Sequence, residues 1–129
     1  MMTKIRTCRV LFLSGTLILG GCSANKPLDR SPVTVVITSS DGRCSAFPPT
    51  QNVYEGGQVS FKGAGQQYDI VFKSPKYPIA APVQSDQPQP YSAHGDGWCT
   101  TIGIHCDYKY TIKKNNVSCA DPVIHITPN

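Results

Sequence analysis

Glutamate occurs once in this 129-residue chain, at Glu55, and methionine only at Met1 and Met2. A glycosidase-type acid pair would have to be assembled from aspartates scattered over turns. No serine carries a nucleophile-elbow signature, and no serine or cysteine has an evident base and orienting acid beside it. There is no CxxC, so the common redox and zinc spacings are missing. No run of five or six basic residues occurs, which removes the electrostatic footprint of a nucleic-acid binder. The apolar stretch from Val10 to Leu19 is only about ten residues, half of the roughly 20 that a spanning helix needs. No convincing amphipathic helix and no internal repeat are visible.

What is present begins at the N-terminus. Lys4, Arg6 and Arg9 precede the apolar stretch Val10 to Leu19, and Leu19-Gly20-Gly21-Cys22 closes it. A basic start, a short apolar run and small residues before a cut form the secretory pattern. The layout resembles a bacterial lipoprotein signal peptide with its lipobox. That resemblance implies removal of residues 1–21 and lipid attachment to the sulfur and new amino group of Cys22. Ser23 after the anchor, rather than Asp, implies sorting to the outer membrane. Several acyl chains, each CH₂ contributing about 0.8 kcal/mol when buried, hold a protein far more firmly than one chain. Loss of Lys4, Arg6 and Arg9 lowers the formal charge from +4 to about +1. About 108 residues are left, enough for one small domain.

Residues 22–32 are polar, punctuated by Pro27 and Pro32, and read as a lipidated cysteine followed by a tether. The domain proper spans 33–129. Cys8 leaves with the signal peptide and Cys22 carries lipid, so Cys44, Cys99, Cys106 and Cys119 remain for an oxidising compartment. Four cysteines allow three pairings, and sequence does not choose among them. The pairing adopted is Cys44–Cys119, tying the domain's beginning to its end, with Cys99–Cys106. Metal or redox work is the alternative use of these thiols.

Short strands dominate the remainder. Val33 to Thr38 is β-branched throughout. Gln58 to Lys62 alternates, Gln67 to Lys73 places Tyr68, Ile70 and Phe72 on one face, and Cys106 to Ile112 places Tyr108, Tyr110 and Ile112 inward. Val123 to Thr127 points Ile124 and Ile126 inward, and Thr100 to Ile104 reads as a further short strand. Turn signals at Asp41-Gly42, Glu55-Gly56-Gly57, Gly63-Ala64-Gly65 and Asn115-Asn116 separate these segments. Residues 44–52 read as a loop. Residues 74–97 carry five prolines and no period, a length that marks a functional or disordered loop. Ile79, Ala80, Ala81 and Val83 are its apolar anchors. The expected fold is an all-β, disulfide-stapled β-sandwich.

The order of Val33 to Thr38, Tyr54 to Phe61, Tyr68 to Phe72, Tyr108 to Ile112 and Asp121 to Ile126 resembles small exported cupredoxin-like domains. The resemblance implies a Greek-key sandwich. It does not carry over the family's copper site, a His₂Cys set with a weak axial ligand. Tyr68 to Phe72 contains no histidine, the chain beyond residue 21 has no methionine, and His105 precedes Cys106 in reversed order. The reading is a metal-free relative used as scaffold, with no cofactor.

Three histidines are the remaining candidates for chemistry. A copper or zinc set from His94 and His105, with Asp96 or Asp107 and with Cys106, is the alternative to plain loop histidines. His125 alternates with Ile124 and Ile126 and is expected to face solvent. Tyr77, Tyr91 and Trp98 lie in or beside the long loop and form a candidate binding surface, aromatics being favoured at interfaces. Together these features describe an envelope lipoprotein, membrane-tethered by lipid and facing the periplasm. Its expected role is a non-catalytic binding or assembly module for an envelope protein partner. Copper binding is the alternative, and a small enzyme or an inhibitor of an envelope-directed hydrolase is the third reading.

Overall fold

Six consecutive residues, Val33 to Thr38, are β-branched, which favours extended backbone, and the first strand β1 runs Val33–Ser40. A computed structural model describes residues 31–80 and 82–129. The expected signal peptide, Cys22 and the expected tether up to residue 30 lie outside the described residues, as does Ala81. After a turn at Asp41-Gly42, both with positive φ, the chain continues as β2 (Arg43–Phe47), β3 (Thr50–Tyr54), β4 (Gln58–Gly63) and β5 (Asp69–Phe72). Two brief strands, β6 (Val83–Gln84) and β7 (Tyr91–Ser92), lead to a one-turn helix α1 (Gly97–Thr101). Then come β8 (Cys106–Lys114), β9 (Val117–Ala120) and β10 (Val123–Thr127).

These strands form the β-sandwich expected. One sheet has the order β2-β1-β4-β7, and the other β3-β10-β8-β5-β6 with β9 also paired to β8. Most pairings are antiparallel, but β1 runs parallel to β4 and β3 parallel to β10. The chain changes sheets at Pro48-Pro49, between β2 and β3. The loop expected over 44–52 is therefore largely strand. It lacks clean apolar alternation because each half lies at the margin of its sheet, where one backbone edge is unpaired.

Alternation along the strands builds the core. Val35 and Ile37 of β1 and Val59 and Phe61 of β4 face Ile70, Tyr110, Ile112, Ile124 and Ile126 of the opposite sheet, all buried. Full burial of side chains of this size contributes roughly 1.5–3 kcal/mol each. Phe61 and Tyr110 meet across the sandwich edge-to-face, with centroids 5.7 Å apart, and Phe72 joins Tyr110 at 5.4 Å. Such pairs add about 0.5–1.5 kcal/mol beyond area.

Covalent ties complete the frame. Cys44 of β2 is bonded to Cys119 of β9, joining the two sheets, and Cys99 of α1 is bonded to Cys106 at the start of β8. This is the pairing adopted from sequence. The bonded residues' Cα atoms are 5.2 and 5.8 Å apart, within the usual range.

The long segment 74–97 is packed along much of its length. Pro78, Ile79, Val83, Ser85 and Ala93 are buried, whereas Ala80 is exposed. Ser85 Oγ accepts from Tyr68 N–H at 2.9 Å and donates to Asp86, while Asp86 N–H donates to Phe61 carbonyl at 2.8 Å. Asp86 in turn accepts from Gly63 N–H. Buried polar backbone thus finds partners without a regular strand, which is why no period marks this stretch.

Candidate functional site

The register of β8 against β10 places Asp107 directly opposite His125. His105 lies two residues before Asp107, so strand alternation returns it to the same outer face. The Asp107 carboxylate contacts His125 Nδ1 and lies 3.4 Å from His105 Nε2, both through Oδ1. The two imidazole rings meet edge-to-face with centroids 5.4 Å apart. One ligand atom from each of the three residues lies within 4.8 Å of the others. His105 and Asp107 are about half exposed, and His125 is half-buried.

Sequence placed His105 and Asp107 among the possible ligands but set His125 aside. Its outward direction is as expected. What alternation could not supply is the cross-strand partner, because strand register is fixed by pairing rather than by the strand's own residues. An open groove of about 740 Å³ adjoins this cluster, bordered by Lys73, Tyr77, Asp107, Tyr108, Lys109 and His125.

The ligand set drawn from His94, His105 and Cys106 does not assemble. Cys106 is in a disulfide and offers no thiolate. His94 instead faces Glu55 in the β3–β4 turn, Nδ1 to Oε1 at 2.9 Å, and the second carboxylate oxygen accepts from Gly95 N–H at 2.7 Å. Asp96, another carboxylate considered, caps α1: its Oδ1 accepts from Trp98 N–H at 3.0 Å. The end of the helix over Gly97–Thr101 and the turn after it stand where a strand was expected over Thr100 to Ile104. An Asp cap two residues before Trp98 was the legible signal for it.

The three loop aromatics have separate fates. Tyr91 is spent on structure: its hydroxyl accepts from Gln84 N–H at 3.0 Å, and its ring packs against Phe61. Tyr77 is half-buried at the groove, with Lys76 Nζ 5.6 Å from its ring centroid. Trp98 is 69% exposed. Its neighbours on the segment closed by Cys99–Cys106 include Ile102 and Ile104, at 51% and 47%. This segment is ordered by its own backbone: Ile102 N–H donates to Trp98 carbonyl and Ile104 N–H to Cys99 carbonyl. Asp96 N–H donates to the Tyr108 hydroxyl at 2.6 Å, fastening the base of the segment to β8. Burial pushes the Tyr108 phenol up; the Asp96 N–H opposes this, and the nearby charges of Asp96, Tyr77 and Glu55 reinforce it.

Comparison with models of known protein families and with curated proteins finds no match. Among the described residues, no helix is long and apolar enough to cross a membrane.

Proposed function

We propose that this protein is a lipid-anchored envelope module that docks a protein partner through Trp98 and the adjoining disulfide-closed segment with Ile102 and Ile104. The observation that carries the reading is the exposure of two isoleucines on one short, covalently closed segment and of one tryptophan immediately before it. Tryptophan is enriched among the residues that dominate binding energy. Three large apolar side chains exposed within seven residues of sequence fit an interaction site. The disulfide and the internal hydrogen bonds hold the segment in one shape, which lowers the ordering cost on association. Cys22 supports the anchor, and the polar residues after it give the domain reach from the membrane.

The test has two parts. Cell fractionation of wild type and Cys22→Ala is expected to move the protein from the membrane to the soluble fraction. A photo-crosslinking residue at position 98 is expected to yield one discrete envelope adduct, lost with Ile102→Asp. Position 47 is the comparison, because Phe47 is 75% exposed on the outer face of the other sheet. An adduct at 47 and none at 98 would reject the segment as the docking face. Unchanged fractionation of Cys22→Ala would reject the anchor.

A further inference from the structure

Two of the chain's three histidines converge on a single carboxylate oxygen. They come from opposite sides of a strand pair, His125 from β10 and His105 from the residue before β8, so the convergence is a product of the fold. We propose that His105, Asp107 and His125 form a binding site for a borderline divalent cation of the zinc or copper(II) class.

The chemistry of the donor set is the first argument. Two imidazole nitrogens and one carboxylate oxygen suit zinc and copper(II); magnesium and calcium prefer sets made of oxygens alone. Geometry is the second. Zinc held by N and O ligands at about 2.0–2.1 Å in a tetrahedron sets those atoms roughly 3.3 Å from one another. The His105 to Asp107 separation is 3.4 Å, and all three ligand atoms fall within 4.8 Å of one another. Small rotations of the exposed His105 and Asp107 side chains close the remaining difference. The carboxylate is hydrogen-bonded to His125 Nδ1 and lies 3.4 Å from His105 Nε2, the same two nitrogens that an ion would occupy.

The arrangement differs from the set weighed on sequence, since it uses neither His94 nor Cys106. Three protein ligands leave at least one coordination position open in a four-coordinate ion. Asp107 and His125 border the groove beside Lys73 and Lys109, so an ion here sits at the rim of a cationic cleft. An anionic group lying in that cleft is the natural occupant of the open position.

The experiment is calorimetric titration of the full chain, purified in detergent, with zinc chloride and separately with copper(II) chloride at neutral pH. One ion per chain is expected. His125→Ala and His105→Ala are expected to abolish binding, and Asp107→Asn to weaken it about tenfold or more. His94→Ala is expected to bind as wild type does. Saturating ion is expected to raise the melting temperature of wild type and not of His105→Ala, because a ligand bound only to the folded state stabilises it. His105 lies outside the strands and is exposed, so its variant carries the test if His125→Ala fails to fold. No binding of either ion by wild type up to about 100 μM would overturn the proposal. Binding that survives loss of both His105 and His125, or that disappears in His94→Ala, would also overturn it.

Discussion

Glu55 and His94 are separated by 39 residues in sequence and by 2.9 Å in the fold. The same carboxylate also receives Gly95 N–H, so the chain's one glutamate pins the end of the long segment onto the β3–β4 turn. His94 is more than half exposed, and the ion pair itself contributes little. The bond to the backbone N–H of buried Gly95 is the larger part, since a buried donor left unpaired costs about 1–3 kcal/mol. Glu55→Ala is expected to lose that amount in urea denaturation, and Glu55→Gln, which keeps an acceptor, distinctly less. Equal stability of Glu55→Ala and wild type would show that the pin is dispensable.

The two disulfides should differ in weight. Cys44–Cys119 spans 75 residues and Cys99–Cys106 only seven. Loop entropy assigns about 4.5 kcal/mol to the first and about 2.5 kcal/mol to the second. Alkylation without reduction followed by intact mass is expected to show no added groups. Cys44→Ser with Cys119→Ser is expected to lower the melting temperature more than Cys99→Ser with Cys106→Ser. The reverse order would mean that the short ring orders more of the domain than its length implies.

Tyr110 carries a buried hydroxyl with no hydrogen-bond partner among the described residues. Removing it by Tyr110→Phe is expected to stabilise the fold by about 1 kcal/mol, a rise of roughly 4–8 °C for a domain of this size. Burial also pushes the Tyr110 phenol up, as it does Tyr108. The folded state therefore keeps these protons where the unfolded chain, titrating near pH 10, releases them. Their stabilising effect is complete below about pH 10 and is lost as the pH rises further. Thermal melts between neutral pH and pH 11 should show this decline, shallower in Tyr110→Phe. A pH-independent melting temperature across that range would contradict the burial of both phenols.

Trp98 is the chain's one tryptophan and lies mostly in solvent. Its fluorescence is expected to be red-shifted and readily quenched by acrylamide in the isolated protein. Docking of a partner on its segment should shift emission to the blue and protect it. A quencher-resistant, blue emission from the free protein would mean that the segment folds back on the domain and is no docking face.

The strands read from β-branching or alternation, β1, β4, β5, β8 and β10, lie close to where the sequence placed them, because each buries one face against the opposite sheet. Val123 to Thr127 matches β10 residue for residue. β2 and β3 escaped notice because marginal strands are held by partners and by Cys44 as much as by their own pattern. α1 was hidden because it runs into the eight-residue loop closed by Cys99–Cys106, where the Asp96 cap and the disulfide set the conformation. The metal cluster was two-thirds legible. His105 and Asp107 are neighbours in sequence, whereas His125 joins them only through the pairing of β8 with β10.

Pro48-Pro49, where the chain passes from β2 to β3, also determines how copies of this domain behave when crowded together. An open sheet can recruit a neighbour along its outermost strand and grow into a ribbon. Here β6 and β7 are only two residues long, too short to template a partner. β2 and β3 meet at a corner where two successive residues lack an N–H to donate. Many copies confined to one surface would thus remain individual molecules instead of polymerising edge to edge.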